Sequence, residues 1–311
     1  MSIFFESLLK NKNFSFKNNI YTIKQKNDET ADKVSDFYKQ IPFPSYKKKD
    51  NKLSISNSGN NNKFYKNLKD FIGLNKNILE MGSGTSQLSM YLAIGTNNKI
   101  SALDMTKESL ELGRDFAYKN DINNITFVKA DLLQDIFKNA VYDFVLSLGV
   151  LHHTKNTYKG FVKCTEVLKD EGYIVVGLYN SYGRKRLEIR RLISKIFGKK
   201  IIHMLDPLVR KFKENKEDNK DKIDAWIHDQ YFHPVERTNT FDEVLQWFKL
   251  NNIKYISSVP TMDFEKNSGE NIFLEENICS KGFRILKQLI MNFEDYGKEG
   301  GLFIMIGKKC K

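Results

Sequence analysis

The stretch Ile78-Leu79-Glu80-Met81-Gly82-Ser83-Gly84-Thr85-Ser86-Gln87-Leu88 runs an apolar segment into an acid and then a G-x-G step. Glycine lets a backbone come close to a ligand. A helix opening behind the turn offers unpaired N–H groups, so the layout suits the cradling of a nucleotide. Asp104 ends a second apolar segment, where a carboxylate can accept hydrogen bonds from a ribose diol. Asp131 follows a third, where it can accept from an adenine amino group, and Leu132 and Leu133 could wall the ring. Ser147–His153 (SLGVLHH) follows a fourth, nearest the reacting centre. Each acid alone reads first as a helix cap or a solvated loop residue. Their recurrence in order at successive segment ends points to one site.

Those ends belong to an alternating pattern. Strands are expected at Asn77–Met81, Lys99–Leu103, Ile125–Lys129, Tyr142–Leu146 and Tyr173–Tyr179, and helices at Ser86–Ala93, Glu108–Lys119 and Tyr158–Leu168, with Asp170-Glu171-Gly172 as a turn. The pattern resumes with a helix at Phe241–Leu250, strands at Lys254–Ser258 and Gly301–Gly307, and a helix at Phe283–Phe293 between them. Short apolar segments separated by helices mean parallel strands covered on both faces, hence an α/β, doubly wound sheet. Ligands of such sheets sit outside the carboxyl ends of the strands. Upstream, Phe37-Tyr38-Lys39-Gln40-Ile41-Pro42-Phe43-Pro44-Ser45-Tyr46 reads as an extended aromatic segment set by its prolines, and Lys47–Asn62 as loop. The chain therefore divides into an N-terminal arm or lid (1–75), a core (76–180), a basic helical insertion (181–239) and a C-terminal completion of the sheet (240–311).

Composition narrows the setting. No apolar run reaches the ~18–20 residues that span a bilayer. The start, MSIFFESLLK, lacks the basic region of a secretory signal. Cys164, Cys279 and Cys310 lie far apart with no CxxC, which argues against a disulfide framework or a zinc site and fits a reducing cytoplasm. The net charge of +12 admits a nucleic acid, an anionic membrane surface, an acidic substrate, or lysines that are simply solvated.

The constellation resembles the class I S-adenosylmethionine-dependent methyltransferases. LEMGSGTSQLS is similar to that family's first motif, Asp104 to its ribose acid, Ala130-Asp131-Leu132 to its adenine motif, SLGVLHH to its fourth-strand motif, and Leu168-Lys169-Asp170-Glu171-Gly172-Tyr173 to the turn before its fifth strand. The resemblance covers about residues 76–180, and more loosely 240–260 and 301–308. It implies a Rossmann-like, seven-stranded sheet whose last strand is antiparallel. It also implies cofactor contacts from Glu80, Gly82, Ser83, Gly84, Gln87, Asp104, Met105, Asp131, Leu132, Ser147, Leu148 and Gly149. Within the class the chain looks closest to the group holding quinone-pathway and wobble-uridine tRNA methyltransferases. A nicotinamide-binding Rossmann domain shares the glycines, but its fingerprint wants a third glycine where Gln87 stands. The methyltransferases' own third glycine is Ser86 here, which leaves the turn less slack.

On the acceptor side, His152 and His153 are the candidate bases; neighbours on one turn cannot both face a pocket. In quinone O-methyltransferases the matching pair is Glu-His and is implicated in metal binding. His152 replaces that carboxylate, so no metal is expected. Asp229, Gln230, Tyr231, His233 and Glu236 could form the acceptor wall, with Tyr231 and His233 as further catalytic candidates, or could be a capping loop. Tyr38, Phe43 and Tyr46 read either as a lid or as packing of the arm. Arg184–Lys200, with Ile189, Leu192, Ile193, Ile196 and Phe197 at helical spacing, could lie on an anionic membrane, contact RNA phosphates, or pack its apolar stripe on the core. The leading expectation is a cytoplasmic enzyme, peripheral to the inner membrane if the basic segment binds lipid. It would methylate a small molecule, with an oxygen or carboxylate acceptor preferred. A tRNA base methyltransferase and a non-catalytic cofactor-binding module are the alternatives, and no DNA partner is expected.

Overall fold

The computed structural model describes residues 2–11, 13–24, 28–40, 42, 44, 46–47, 49–207, 209–210, 220–263, 271–293 and 301–311. The N-terminal part contains α1 (Ser2–Leu8), β1 (Phe14–Lys17), β2 (Ile20–Ile23), α2 (Glu29–Gln40), α3 (Lys52–Asn61) and α4 (Lys63–Ile72). The alternating part follows as β3 (Asn77–Met81), α5 (Gln87–Ala93), β4 (Lys99–Asp104), α6 (Lys107–Lys119), β5 (Ile125–Lys129), β6 (Tyr142–Leu148), α7 (Thr157–Val167) and β7 (Leu168–Tyr179). Then come α8 (Lys185–Phe197), α9 (Ile202–Leu205) and α10 (Lys220–Phe232), and finally α11 (Phe241–Leu250), β8 (Ile253–Val259), α12 (Lys281–Ile290) and β9 (Leu302–Lys309).

All described strands join one sheet in the order β1-β2-β5-β4-β3-β6-β7-β9-β8. The strands from β2 through β7 pair in parallel, and β9 runs antiparallel to both β7 and β8. The seven strands from β5 to β8 are the sheet implied by the resemblance. Strand residues alternate between faces, and both faces are covered. Leu79, Leu103, Val145, Phe161 and Phe248 form the core on one side. Ile78, Ile100, Leu110, Phe144 and Ile306 form it on the other. Asp170-Glu171-Gly172 is not a turn that precedes a strand at Tyr173, because β7 already begins at Leu168. It forms an irregularity inside β7, where Tyr142 pairs with Leu168 but Phe144 pairs with Tyr173.

The N-terminal part departs most from the sequence reading. β1 and β2 form a hairpin that extends the sheet, β2 lying parallel to β5. Lys47–Asn62 is not loop throughout. Asn51 and Ser54 close a capping box that starts α3, Ile55 is buried, and Gly59 lies against Tyr91, whose ring would stand 2.2 Å from any Cβ added there. Packing and a cap override the poor helix propensity of that stretch. Phe37 and Tyr38 are helical, because α2 runs to Gln40 and only the residue just before Pro42 is barred from helical geometry. Phe43 lies outside the described residues.

Tyr21 carries the hairpin. It is 2% exposed, its ring lies 4.6 Å from that of Phe5 and 5.2 Å from that of Phe14, and its hydroxyl donates to Glu6. Replacing Tyr21 with Ala is expected to cost about 3–5 kcal/mol in a urea melt. Affinity for a ligand of the strand-end cavity should stay unchanged, since Tyr21 does not line it.

Candidate active site

The turn after β3 is built by backbone hydrogen bonds to the end of β4. Gly82 has φ +80° and a left-handed conformation that glycine adopts freely. The N–H groups of Gly82 and Ser83 both donate to the Leu103 carbonyl at 2.8 Å. The Gly84 N–H donates to Asp104 Oδ2 at 2.7 Å, and the Thr106 N–H to Asp104 Oδ1 at 2.8 Å. Each carboxylate oxygen still has accepting capacity for a ligand hydroxyl. Ser86, with φ +64°, also lies in left-handed space, which explains the glycine usual there. Its N–H donates to the Ser83 carbonyl and its hydroxyl to Ser83 Oγ, and α5 starts at the next residue.

Glu80, Asp104 and Asp131, the acids of the strand ends, are among the residues that line one cavity of about 720 Å³. Glu80 Oε2 accepts from the Ser89 N–H (3.0 Å) and hydroxyl (2.5 Å). Burial pushes its carboxyl up to about 7 despite those bonds. Burial also raises Asp104 and Asp131 from the usual carboxylate range. Asp131 Oδ1 accepts from the Leu133 N–H at 2.9 Å.

Of the residues anticipated for the cofactor, Glu80, Gly82, Ser83, Gly84, Gln87, Asp104, Met105, Asp131, Leu132, Leu148 and Gly149 line this cavity. Ser147 does not; its hydroxyl donates to the Met81 carbonyl and ties β6 to β3. Of the candidate bases, His153 lines the cavity and His152 does not. His152 is fully buried against the Tyr179 ring (3.8 Å), and neither ring nitrogen has a partner among the described residues. Burial holds it well below the usual histidine range. His153 Nδ1 lies 2.7 Å from the Val235 carbonyl, which fixes Nδ1 as the donor and leaves Nε2 as acceptor. Burial lowers its pKa to about 4, so it is neutral at physiological pH.

The remaining wall combines α2 and α10, far apart in sequence. Asp229 and Gln230 line the cavity, as do Tyr38, Tyr179 and Trp226. The Tyr38 hydroxyl donates to Asp229 Oδ1 at 2.7 Å, and Gln230 Nε2 donates to Asp229 Oδ2 and to the Tyr179 hydroxyl, each at 2.8 Å. Tyr231 and His233 stand elsewhere. Tyr231 donates to Asp206 at 2.8 Å in a separate cluster, because helical geometry turns it away from its neighbour Gln230. His233 stacks on the back of His153, with ring centroids 3.6 Å apart. Glu236 lies behind the wall, where Arg184 (Nε, 2.7 Å; Nη2, 2.6 Å) and Arg191 (Nη1, 2.9 Å; Nη2, 2.7 Å) both grip it and hold its carboxyl down at about 2. Arg184 is fully buried, 3.4 Å over the Tyr179 ring. Tyr46 does not line the cavity; it stacks on Phe116 and donates to the Thr85 carbonyl, bracing the turn from outside. Sequence reasoning missed Asp28, Lys155, Tyr179 and Trp226, which also line the cavity. Asp28 carries a legible signal, an acid just before a helix, whereas Tyr179 and Trp226 carry none. Among the described residues no cluster of His, Cys, Asp and Glu could hold a metal ion.

A methyltransferase-domain family model matches residues 72–252, more than half of the chain. The chain belongs to that family, within the class I S-adenosylmethionine-dependent methyltransferases. Among curated proteins it is 24% identical over 101 residues to 27-O-demethylrifamycin SV methyltransferase of Amycolatopsis mediterranei, covering 32% of this chain and 37% of that one. It is 25% identical over 103 residues to ubiquinone biosynthesis O-methyltransferase of Rickettsia typhi, covering 33% and 41%. The chain thus spans less than half the length of these relatives. Among solved structures, PKMT2 of Rickettsia typhi superposes with a TM-score of 0.54 at 14% identity, over 80% of this chain and 54% of that one, a likeness of fold.

The residues present suit the family's cofactor. Glu80, Asp104 and Asp131 make the pocket acidic, which matches a cationic ligand carrying a diol. Gly149, at φ +76°, has no atom within 4 Å of where a Cβ would stand, so the backbone is open to a ligand there.

Glu80 yields a pH signature. Its folded value of about 7 lies above the ordinary 4.5, so between these the folded chain keeps a proton that the unfolded chain has released. Stability from this group is fully present below pH 4.5 and falls, by up to about 3 kcal/mol, as pH rises through 7. The histidines act with the opposite sign, so the test is the difference between wild type and Glu80→Gln in denaturant melts from pH 5 to about 8. That difference should change steadily across the window; parallel curves would contradict the assignment.

Proposed function

We propose that this protein transfers a methyl group from S-adenosylmethionine to a small-molecule acceptor, with an oxygen or carboxylate as the accepting atom. The observation that carries the reading is that one cavity holds both the strand-end acids and the aromatic and polar wall of Tyr38, Trp226, Asp229, Gln230 and His153. In this reading residues 76–180 with 240–311 bind the cofactor, 181–239 supply the acceptor side, and α2 closes over both.

When bound, S-adenosylmethionine supplies a methyl group already activated by its sulfonium charge. The chain's part is to bind, orient and exclude water. Asp104 would accept from the ribose hydroxyls and Asp131 from the adenine amino group, with Leu132 against the ring. Glu80 would face the amino-acid end, where an ammonium would favour its ionised form. Tyr38 lines the same cavity as Asp104 and donates to Asp229, so in this reading its ring stands where the cofactor and acceptor halves meet; burial first, and then Asp229 and Asp104, raise its pKa. His153 Nε2 is left to accept a hydrogen bond from an acceptor hydroxyl and orient its lone pair toward the methyl group. Support for tRNA as acceptor weakens because Arg184 and Arg191 turn inward to Glu236 rather than toward solvent.

Asp104→Ala tests the proposal. With methyl-labelled S-adenosylmethionine and a small-molecule cell extract, wild type should label a discrete product, and the variant should lose labelling and at least tenfold in calorimetric affinity, about 1.4 kcal/mol or more. Label appearing in tRNA would redirect the acceptor. Unchanged affinity in the variant would overturn the cofactor assignment.

A further inference from the structure

Helix α8 is oriented opposite to what its pattern suggests. Ile189, Leu192 and Ile196 recur on one stripe, spacing that ordinarily faces a core. They are 57%, 60% and 68% exposed, and Phe197 beside them is 69% exposed. The opposite side of the helix is the buried one, with Leu187 and Ser194 enclosed and Arg191 bound to Glu236 and to the Gln230 carbonyl. Two arginines gripping one buried carboxylate hold the helix with its polar side inward. The outer stripe is left largely exposed. The stripe continues onto α12, since Arg186 donates to the Asn292 carbonyl and lies over Phe293, itself 79% exposed. Leu286 extends it along that helix.

We propose that this outer face of α8 and α12 docks on an anionic lipid bilayer. Lys185, Arg186, Lys195, Lys200 and Lys281 are exposed around the stripe, and the one acid of α8, Glu188, is already paired with Lys185. Large apolar side chains ringed by cations match an interface with hydrocarbon beneath anionic headgroups. A second copy would set these cations against their own kind, and nucleic acid offers no partner to an aliphatic stripe. No described helix is long and apolar enough to cross a membrane, so the association is with its surface. The inner side of α8 touches Gln230, which lines the cavity, so the bilayer would lie about one helix diameter, ~10 Å, behind the cavity wall.

Flotation of the full chain with phosphatidylcholine vesicles, with and without phosphatidylglycerol, tests this at low and high salt. Binding is expected with phosphatidylglycerol only and should weaken with salt. The double variant Ile196→Asp, Phe197→Asp should bind roughly tenfold more weakly or not at all, and Lys195→Glu, Lys200→Glu should lose the salt-dependent part. Thermal melts and S-adenosylhomocysteine affinity should be unchanged in both variants, which separates docking from folding and from the active site. The proposal is overturned if wild type does not float, if the apolar variant floats equally, or if that variant instead abolishes a dimer seen by light scattering or a tRNA gel shift.

Discussion

The site depends on the junction between the first turn and the end of β4. The Leu103 carbonyl takes the Gly82 and Ser83 N–H groups, and the Asp104 carboxylate takes the Gly84 N–H. This consumes amides that a bare turn would leave unpaired, and it fixes the carboxylate before any ligand arrives. A buried acid is costly unless its oxygens are bonded, and here the protein bonds each once while leaving capacity for a diol. The tight turn needs left-handed backbone at Gly82 and again at Ser86. The serine keeps that conformation through its two bonds to Ser83.

A second constraint lies behind the cavity wall made by α2 and α10. Arg184, Arg191, Glu236 and Asp229 bring two charges of each sign into a largely buried network, with Gln230 bonded to Arg184, to Asp229 and to Tyr179. A buried set of this kind is weak evidence for stability but strongly orients its members. It sets the end of α10 against the cavity and turns α8 polar side in. One network thereby joins the cavity wall to the outer apolar face.

The alternating core was legible because each buried strand is a short apolar segment ended by turn chemistry, as in Asn77–Met81 and Ile125–Lys129, both found with the expected bounds. The strand-end acids were legible for the same reason, since a strand's position fixes where its last side chain stands. The hairpin of β1 and β2 was not, because four-residue strands leave almost no periodic signal. Nor was α3, whose Lys-Leu-Ser-Ile-Ser-Asn-Ser-Gly-Asn-Asn sequence is helical through a cap and a close approach to Tyr91. Which of His152 and His153 faces the cavity turned on the Val235 carbonyl, 82 residues away, and the facing of α8 on Glu236. Long-range hydrogen bonds decided both, and hydrophobic periodicity alone points the helix the wrong way.

The most direct measurement is a crystal structure of the protein with S-adenosylhomocysteine. The account predicts the ribose diol within hydrogen-bond distance of Asp104, the adenine amino group at Asp131, and the sulfur facing the wall of Tyr38 and His153. A ribose bound away from Asp104, or a ligand outside the strand-end cavity, would contradict it.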